Sequence, residues 1–358
     1  MGKNNKINND KNNKNKYPFI SMCTPTFNRR PFIPMMLKCF EYQTYPKDKI
    51  EWIIIDDGTD KIEDLVSHIP QVKYFKYETK MTLGKKRNIC NDKSIGDIII
   101  YIDDDDYYPP QRISHAVETL LNNPKALCAG SSAMFIYFKH IHKMYQFGPY
   151  GPKHSTAATF AFRKELLKET RFDEDSSVAE ERKFLKDYTI PFVQLESAKS
   201  ILVFSHKHNS FDKKDLLDQM PNPTVSETPI TPNDIIKEPE ILQFFMKDID
   251  DLLDNYEPGR PENKPDVTKQ LIEIKENREK HIKEQIKKQN EYNETINKSQ
   301  LLNNQHISQN KINELSFIIQ ELTMENNDLK DKIKYLEDKM KHLINDQIQK
   351  KRDQMAST

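Results

Sequence analysis

Ile98-Ile99-Ile100-Tyr101-Ile102 runs without interruption into Asp103-Asp104-Asp105-Asp106. An unbroken apolar run of strand length reads as a strand buried on both faces, the habit of parallel sheets, whose crossovers cover both sides. Ligands of open parallel sheets bind outside the carboxyl ends of the strands, which puts the four aspartates on the rim of a site. Four like charges so close repel one another. A hard divalent cation bound through carboxylate oxygen relieves that repulsion; an acidic loop or helix cap is the alternative.

The stretch around this run has a matching grammar. Pro18–Cys23 and Trp52-Ile53-Ile54-Ile55 read as strands, Val72–Phe75 as a weaker one, and Phe32–Tyr42 and Lys85–Ser94 as helices. Apolar strands alternating with helices predict an α/β domain with a mostly parallel sheet and helices on both faces, over 17–215. Six of the eight glycines (Gly58, Gly84, Gly96, Gly130, Gly148, Gly151) fall inside it. Two more strand or helix ends carry chemistry. Asp56-Asp57-Gly58-Thr59 follows a buried strand, and Asp57 there is free to accept hydrogen bonds from a base or ribose, although Asp-Gly is also ordinary turn chemistry. Gly84-Lys85-Lys86-Arg87-Asn88 opens a helix, where the dipole disfavours cations and favours an anion such as phosphate.

The ends of the chain differ. Residues 1–16 hold seven Asn and five Lys, too little apolar surface to order them. Eight prolines from Pro221 to Pro265 predict a linker over 216–266 with one helix, Ile241–Leu253. From 267 to 350 the chain reads as helical. Leu315, Leu322, Leu329, Leu336 and Leu343 recur every seven residues, alternating with Ile312, Ile319, Asn326, Ile333 and Met340. β-Branched residues at a, Leu at d and one a-position Asn predict a parallel two-stranded coiled coil over 312–343, and so a homodimer.

Several classes drop out. No apolar run approaches the ~18 residues of a membrane span, and no secretory signal opens the chain. Formal net charge is zero, and Glu291–Asn310 offers only Lys298 as a cation, so no basic region precedes the heptads to neutralise phosphates; no nucleic-acid partner is expected. Cys23, Cys39, Cys90 and Cys128 lack paired spacing and read as reduced thiols. The expected location is the cytoplasm.

Taken together and in order, Thr24-Pro25-Thr26-Phe27-Asn28-Arg29, Asp56-Asp57-Gly58-Thr59, Gly84-x-x-Arg87-Asn88 and Asp103–Asp106 resemble family 2 glycosyltransferases of the GT-A fold. The Asn/Lys/Ile-rich style also resembles versions encoded by giant DNA viruses, which would mean host cytoplasm or virion. The resemblance implies a Rossmann-like GT-A domain that uses a nucleotide sugar, UDP-linked, with Mn²⁺ or Mg²⁺. Thr24 and Pro25 would line the uracil pocket, Asp57 would read the base, and Arg87 would touch base or phosphate. Asp104 would meet the ribose or metal shell and Asp105 would be the principal metal ligand, with Asp103 and Asp106 exchangeable because four consecutive Asp leave the register ambiguous.

The resemblance extends further along the chain. Ala157–Lys164 resembles the stretch beside the transferred sugar. Glu180-Glu181 stands where inverting members place an acidic pair, the second being the general base that deprotonates the acceptor hydroxyl; the usual pair is Glu-Asp. His206 with Asn209 matches a His-x-x-Asn pattern that completes the metal or diphosphate contacts, with His208 as the fallback. The acceptor would be a glycan or protein hydroxyl. The competing reading is an inactive GT-A-like interaction protein whose coiled coil mediates assembly.

Overall fold

The structure, a computed structural model, describes residues 17–209, 213–217 and 222–356; segment 1–16, expected to be disordered, lies outside them. Strands β1 (Ile20–Thr26), β2 (Ile50–Asp56), β3 (Val72–Lys76) and β4 (Ile98–Tyr101) pair in parallel in the order β3-β2-β1-β4. This is the doubly wound half-sheet that the apolar runs predict. Beyond β4 this mostly parallel sheet takes in one antiparallel strand. β8 (Ala161–Arg163) lies antiparallel between β4 and β5 (Cys128–Gly130), and β9 (Phe192–Gln194) closes the far edge parallel to β5.

Alternation along the strands divides the core between the two faces. Ile20, Met22, Trp52, Ile54, Ile98 and Ile100 pack in one cluster with helices α1 (Ile33–Tyr42) and α3 (Arg112–Asn122). Cys23, Ile53, Ile55, Ile99 and Tyr101 pack in another, which includes Cys90 of α2 (Leu83–Lys93). Each large apolar side chain so buried contributes roughly 1.5–3 kcal/mol, and a one-residue slip would exchange the faces. Among the described residues all four cysteines are buried and unpaired.

A second sheet, β10 (Leu202–Ser205), β6 (Met134–Phe138), β7 (Lys143–Phe147) and β11 (Val225–Glu227), is mixed. The proline-rich segment is not a free linker. Ile236, Ile241, Phe244, Phe245, Ile249 and Leu253 are buried in a cluster with Phe32, Phe135 and Phe204. The prolines break the backbone into short turns and helices, and the apolar residues between them still pack. Accordingly the first compact unit runs to Lys275 rather than ending near 215.

The second unit, Glu276–Thr358, is the remainder of helix α5 (Pro265–Ala356). By itself it exposes its heptad positions: Leu315, Leu322, Leu329, Leu336 and Leu343 are 51–60% accessible.

Candidate active site

The carboxyl ends of β1, β2 and β4 bring the sequence motifs together. A cleft of about 350 Å³ opens there, lined by Pro25, Phe27, Arg29, Lys86, Arg87 and Asp103–Asp106, and across from them by Thr156, Ala158, Val203 and Asn209. That volume falls within the roughly 300–1,000 Å³ of small-molecule sites.

Arginines meet three of the four aspartates, while Asp106 keeps a buried carboxylate oxygen without a partner among the described residues. Arg29 reaches Asp104 (3.4 Å) and Asp105 (2.9 Å), and Arg87 lies 3.5 Å from Asp103. Asn28, in the left-handed region at φ 52°, turns the chain so that Arg29 points back at the cluster, a conformation Asn tolerates better than most residues. Burial works against Asp105, but Arg29 and His206 hold it well below the usual carboxylate range. Burial pushes Asp104 up to about 7 and Asp106 well above the ordinary value, with Asp105 adding to both shifts. Asp105 is thus the one of the four whose charged form its surroundings favour.

His206 Nε2 lies 3.4 Å from the same Asp105 oxygen. The His-x-x-Asn spacing closes on itself: Asn209 Oδ1 accepts from the His206 backbone N–H, and Asn209 Nδ2 meets His206 Nε2, both at 2.8 Å. Burial lowers His206 to about 3, so it is a neutral imidazole. His208 is buried against Gly259 and Tyr256 instead. A hard carboxylate beside a neutral imidazole is a donor pair that suits Mn²⁺, and two protein ligands suffice where phosphates complete the shell. Asp103, expected as a third ligand, faces Arg87; among the described residues no three such side chains gather on one point.

Several expected roles change with placement. Thr24 is buried, donating to Ile102 O (2.8 Å) and accepting from Trp52 Nε1 (3.0 Å), and does not line the cleft. Asp57 also lies behind the lining. Its carboxylate takes Lys86 Nζ at 2.8 Å and the Met81 N–H at 2.5 Å. Asp56 closes the turn through Gly58 N–H, Ile62 N–H and Tyr74 Oη. The cations at the start of α2 therefore have protein anions nearby: Lys86 holds Asp57, and Arg87 Nε donates to Glu180 at 2.7 Å. Arg87 is fully buried over the Tyr101 ring, and its Nη1 has no partner among the described residues.

The acidic pair opens α4 (Glu181–Phe184), a short helix tied to α2 through the Arg87–Glu180 pair. Asn88 clamps the approach, donating to Phe172 O and accepting from Phe172 N–H, both at 3.0 Å. Gly84 sits against Asp173, where a Cβ would lie 1.8 Å from its carbonyl oxygen. The two glutamates then separate in role. Glu180 is buried on Arg87. Burial and the Glu180 charge raise Glu181 to about 7, and beyond its own backbone N–H it accepts no hydrogen bond among the described residues.

Residues 21–188, just under half of the chain, match the model of glycosyl transferase family 2. Among curated proteins it is similar to an uncharacterised glycosyltransferase of Haemophilus influenzae, 31% identical over 122 residues, which are 32% of this chain and 48% of that protein. It is also similar to the poly(ribitol-phosphate) β-N-acetylglucosaminyltransferase TarS of Staphylococcus aureus, 26% identical over 110 residues, 27% of this chain and 18% of that one. The chain spans less than half the length of these relatives. Among solved structures, the mannosyltransferase PcManGT from Pyrobaculum calidifontis, in complex with GDP-Man and Mn²⁺, aligns with a TM-score of 0.44 and 17% identity. That alignment covers 53% of this chain and 58% of the other. Among the described residues no helix is long and apolar enough to cross a membrane.

Proposed function

We propose that this chain is an inverting glycosyltransferase that moves a sugar from a nucleotide sugar, UDP-linked, to a hydroxyl of a glycan or protein acceptor. The observation that carries the reading is the convergence of Asp105 and the buried cations, at the carboxyl ends of parallel strands within the stretch matched by the family model, with the neutral His206 that follows β10. Asp105 and His206 would hold Mn²⁺ or Mg²⁺, and a bound cation supplies charge stabilisation to the departing nucleoside diphosphate. Pro25 and Phe27 offer an apolar wall for the base, and Arg87 lines the same cleft with an unpartnered Nη1.

Glu181 is the base in this reading. In-line displacement needs a group that takes the acceptor proton, and a carboxylate near pH 7 is matched to that task. Glu180 fixes Arg87 and so positions the pair. The exposed heptads of α5 support a parallel homodimer, since a and d seams left in water are costly. The Asn/Lys/Ile-rich composition supports a chain encoded by a giant DNA virus and working in host cytoplasm or virion.

The test is a panel of UDP-, GDP- and dTDP-sugars incubated with the purified protein, with Mn²⁺ or with EDTA, and scored for released nucleotide. Metal-dependent release from UDP-sugars is the expected result; release from none of the donors would overturn the proposal.

A further inference from the structure

Behind the cleft one side chain joins the aspartate loop to the wall that faces it. Tyr108 is buried, and its hydroxyl reaches back along the loop it follows. That hydroxyl accepts from the Asp103 N–H (2.8 Å) and donates to Ala158 O (3.2 Å). Ala158 belongs to a single 3-10 turn, Ala157–Thr159, and with Thr156 it lines the cleft across from Asp103–Asp106. The root of this turn has its own clamp. Arg112 donates through Nη2 to Thr159 O (2.8 Å), Phe160 O (3.1 Å) and Tyr101 O (3.3 Å). The ring of Tyr108 packs in the core cluster with Ile100 and Ile113. Gln43 holds the turn after it, donating to Pro109 O (2.8 Å) and accepting from the Ile113 N–H (3.1 Å). The preceding residue supplies a contrast: Tyr107 is equally buried, but its hydroxyl donates to Glu238 (3.0 Å), and neither of these two lines the cleft.

We propose that Tyr108 is a positioning residue for the transfer reaction, its hydroxyl setting the spacing between the acidic loop and the Thr156–Ala158 wall. The inference rests on the nucleotide-sugar reading above. A hydroxyl that accepts and donates at once couples its two bonds. Phenylalanine keeps the ring and removes both, so the Asp103 N–H and the Ala158 carbonyl lose their common partner. A ligand that spans the cleft from Asp105 to the far wall feels the spacing; a ligand that engages the aspartate side alone does not. A misplacement of about 1 Å can cost roughly 10²-fold in rate.

The test uses the full chain with Mn²⁺, scoring nucleotide released from UDP- and GDP-sugars and, by calorimetry, the affinity for UDP or GDP alone. Tyr108→Phe should lower turnover about 10–100-fold and leave nucleotide affinity within about threefold. Tyr107→Phe, which loses one hydroxyl bond outside the cleft, should leave both within about twofold. Hydrogen exchange reads the brace without any activity: the segments around Asp103 and Ala158 should exchange faster in Tyr108→Phe than in Tyr107→Phe. An equal turnover loss in the two variants overturns the assignment, as does a matching fall in nucleotide affinity, which marks Tyr108 as a support of the fold. Unchanged exchange in both segments likewise removes the brace. If the exchange difference is found but the unaltered protein turns over no donor, the nucleotide-sugar reading has failed and takes the assignment with it.

Discussion

Replacing Glu181 with Gln should make the protein slower and, above neutral pH, more stable. Burial and Glu180 raise the Glu181 carboxyl from 4.5 to about 7. A group whose folded value is raised costs stability once the unfolded chain ionises and the folded one does not. The cost is absent below about pH 4.5, grows toward pH 7 and stays constant above it. At about 1.4 kcal/mol per pH unit the ceiling is about 3 kcal/mol. The side chain is only partly withdrawn from water, so solvent screening brings this to about 1–2 kcal/mol. Gln keeps the shape without the charge. Its melting temperature should exceed the parent's by a few degrees at pH 8, at roughly 2–4 °C per kcal/mol for a domain of this size, and match it at pH 4.5. Turnover should fall roughly 10²–10⁴-fold with nucleotide affinity unchanged. Differential scanning fluorimetry across pH and a nucleotide-release assay read the two effects. Equal melting temperatures at pH 8 would refute the buried-charge argument. A larger turnover loss from Glu180→Gln would move the base by one residue.

Other outcomes follow from other parts of the molecule. Asp105→Asn should abolish Mn²⁺-dependent UDP binding with the fold intact, because it removes the one ionised carboxylate beside His206; calorimetry on the variant decides it. Gly84→Ala should destabilise the first unit by about 1–3 kcal/mol, since the Asp173 backbone must move out of the way, and urea unfolding measures this. Full-length protein should sediment as a dimer, and Asn326→Ile should raise its thermal stability while admitting trimers; a micromolar monomer would remove the zipper from the account.

The sequence is most legible where the reason is local. β4 and the Trp52–Ile55 stretch of β2 announce themselves because a strand covered on both faces is apolar over long runs, and the acidic cluster follows where β4 ends. β1 runs to Thr26 rather than stopping at Cys23, because Pro25 is extended and needs no ladder donor in its place. The second sheet stays hidden: β6 and β7 are short, and His142 turns between them in the left-handed region without a glycine to mark it. At the site, Asp105, Arg87 and His206 can be picked out by type and spacing. The opposite holds for what pairs with them. Nothing in the neighbourhood of Asp57 says that Lys86 will occupy it. Arg29 had a signal in the Asn-Arg pair after β1. Tyr108 had none, since its place depends on a contact with Ala158, 50 residues away.

Arg87 holds Asp103 on the cleft rim with one arm and Glu180 with another. A single guanidinium thus belongs at once to the end of the molecule where a donor would rest and to the short helix that carries the proposed base. Evolution could not readily retune one without the other. A chimera joined to a relative anywhere between residues 103 and 180 would inherit the two halves of this linkage from different parents, and a partner using Asp in the second acidic position would bring a base cut to another length. Donor and acceptor preferences should therefore travel together in recombined libraries, and crossovers placed before residue 87 or after 181 should yield active progeny far more often than those placed between.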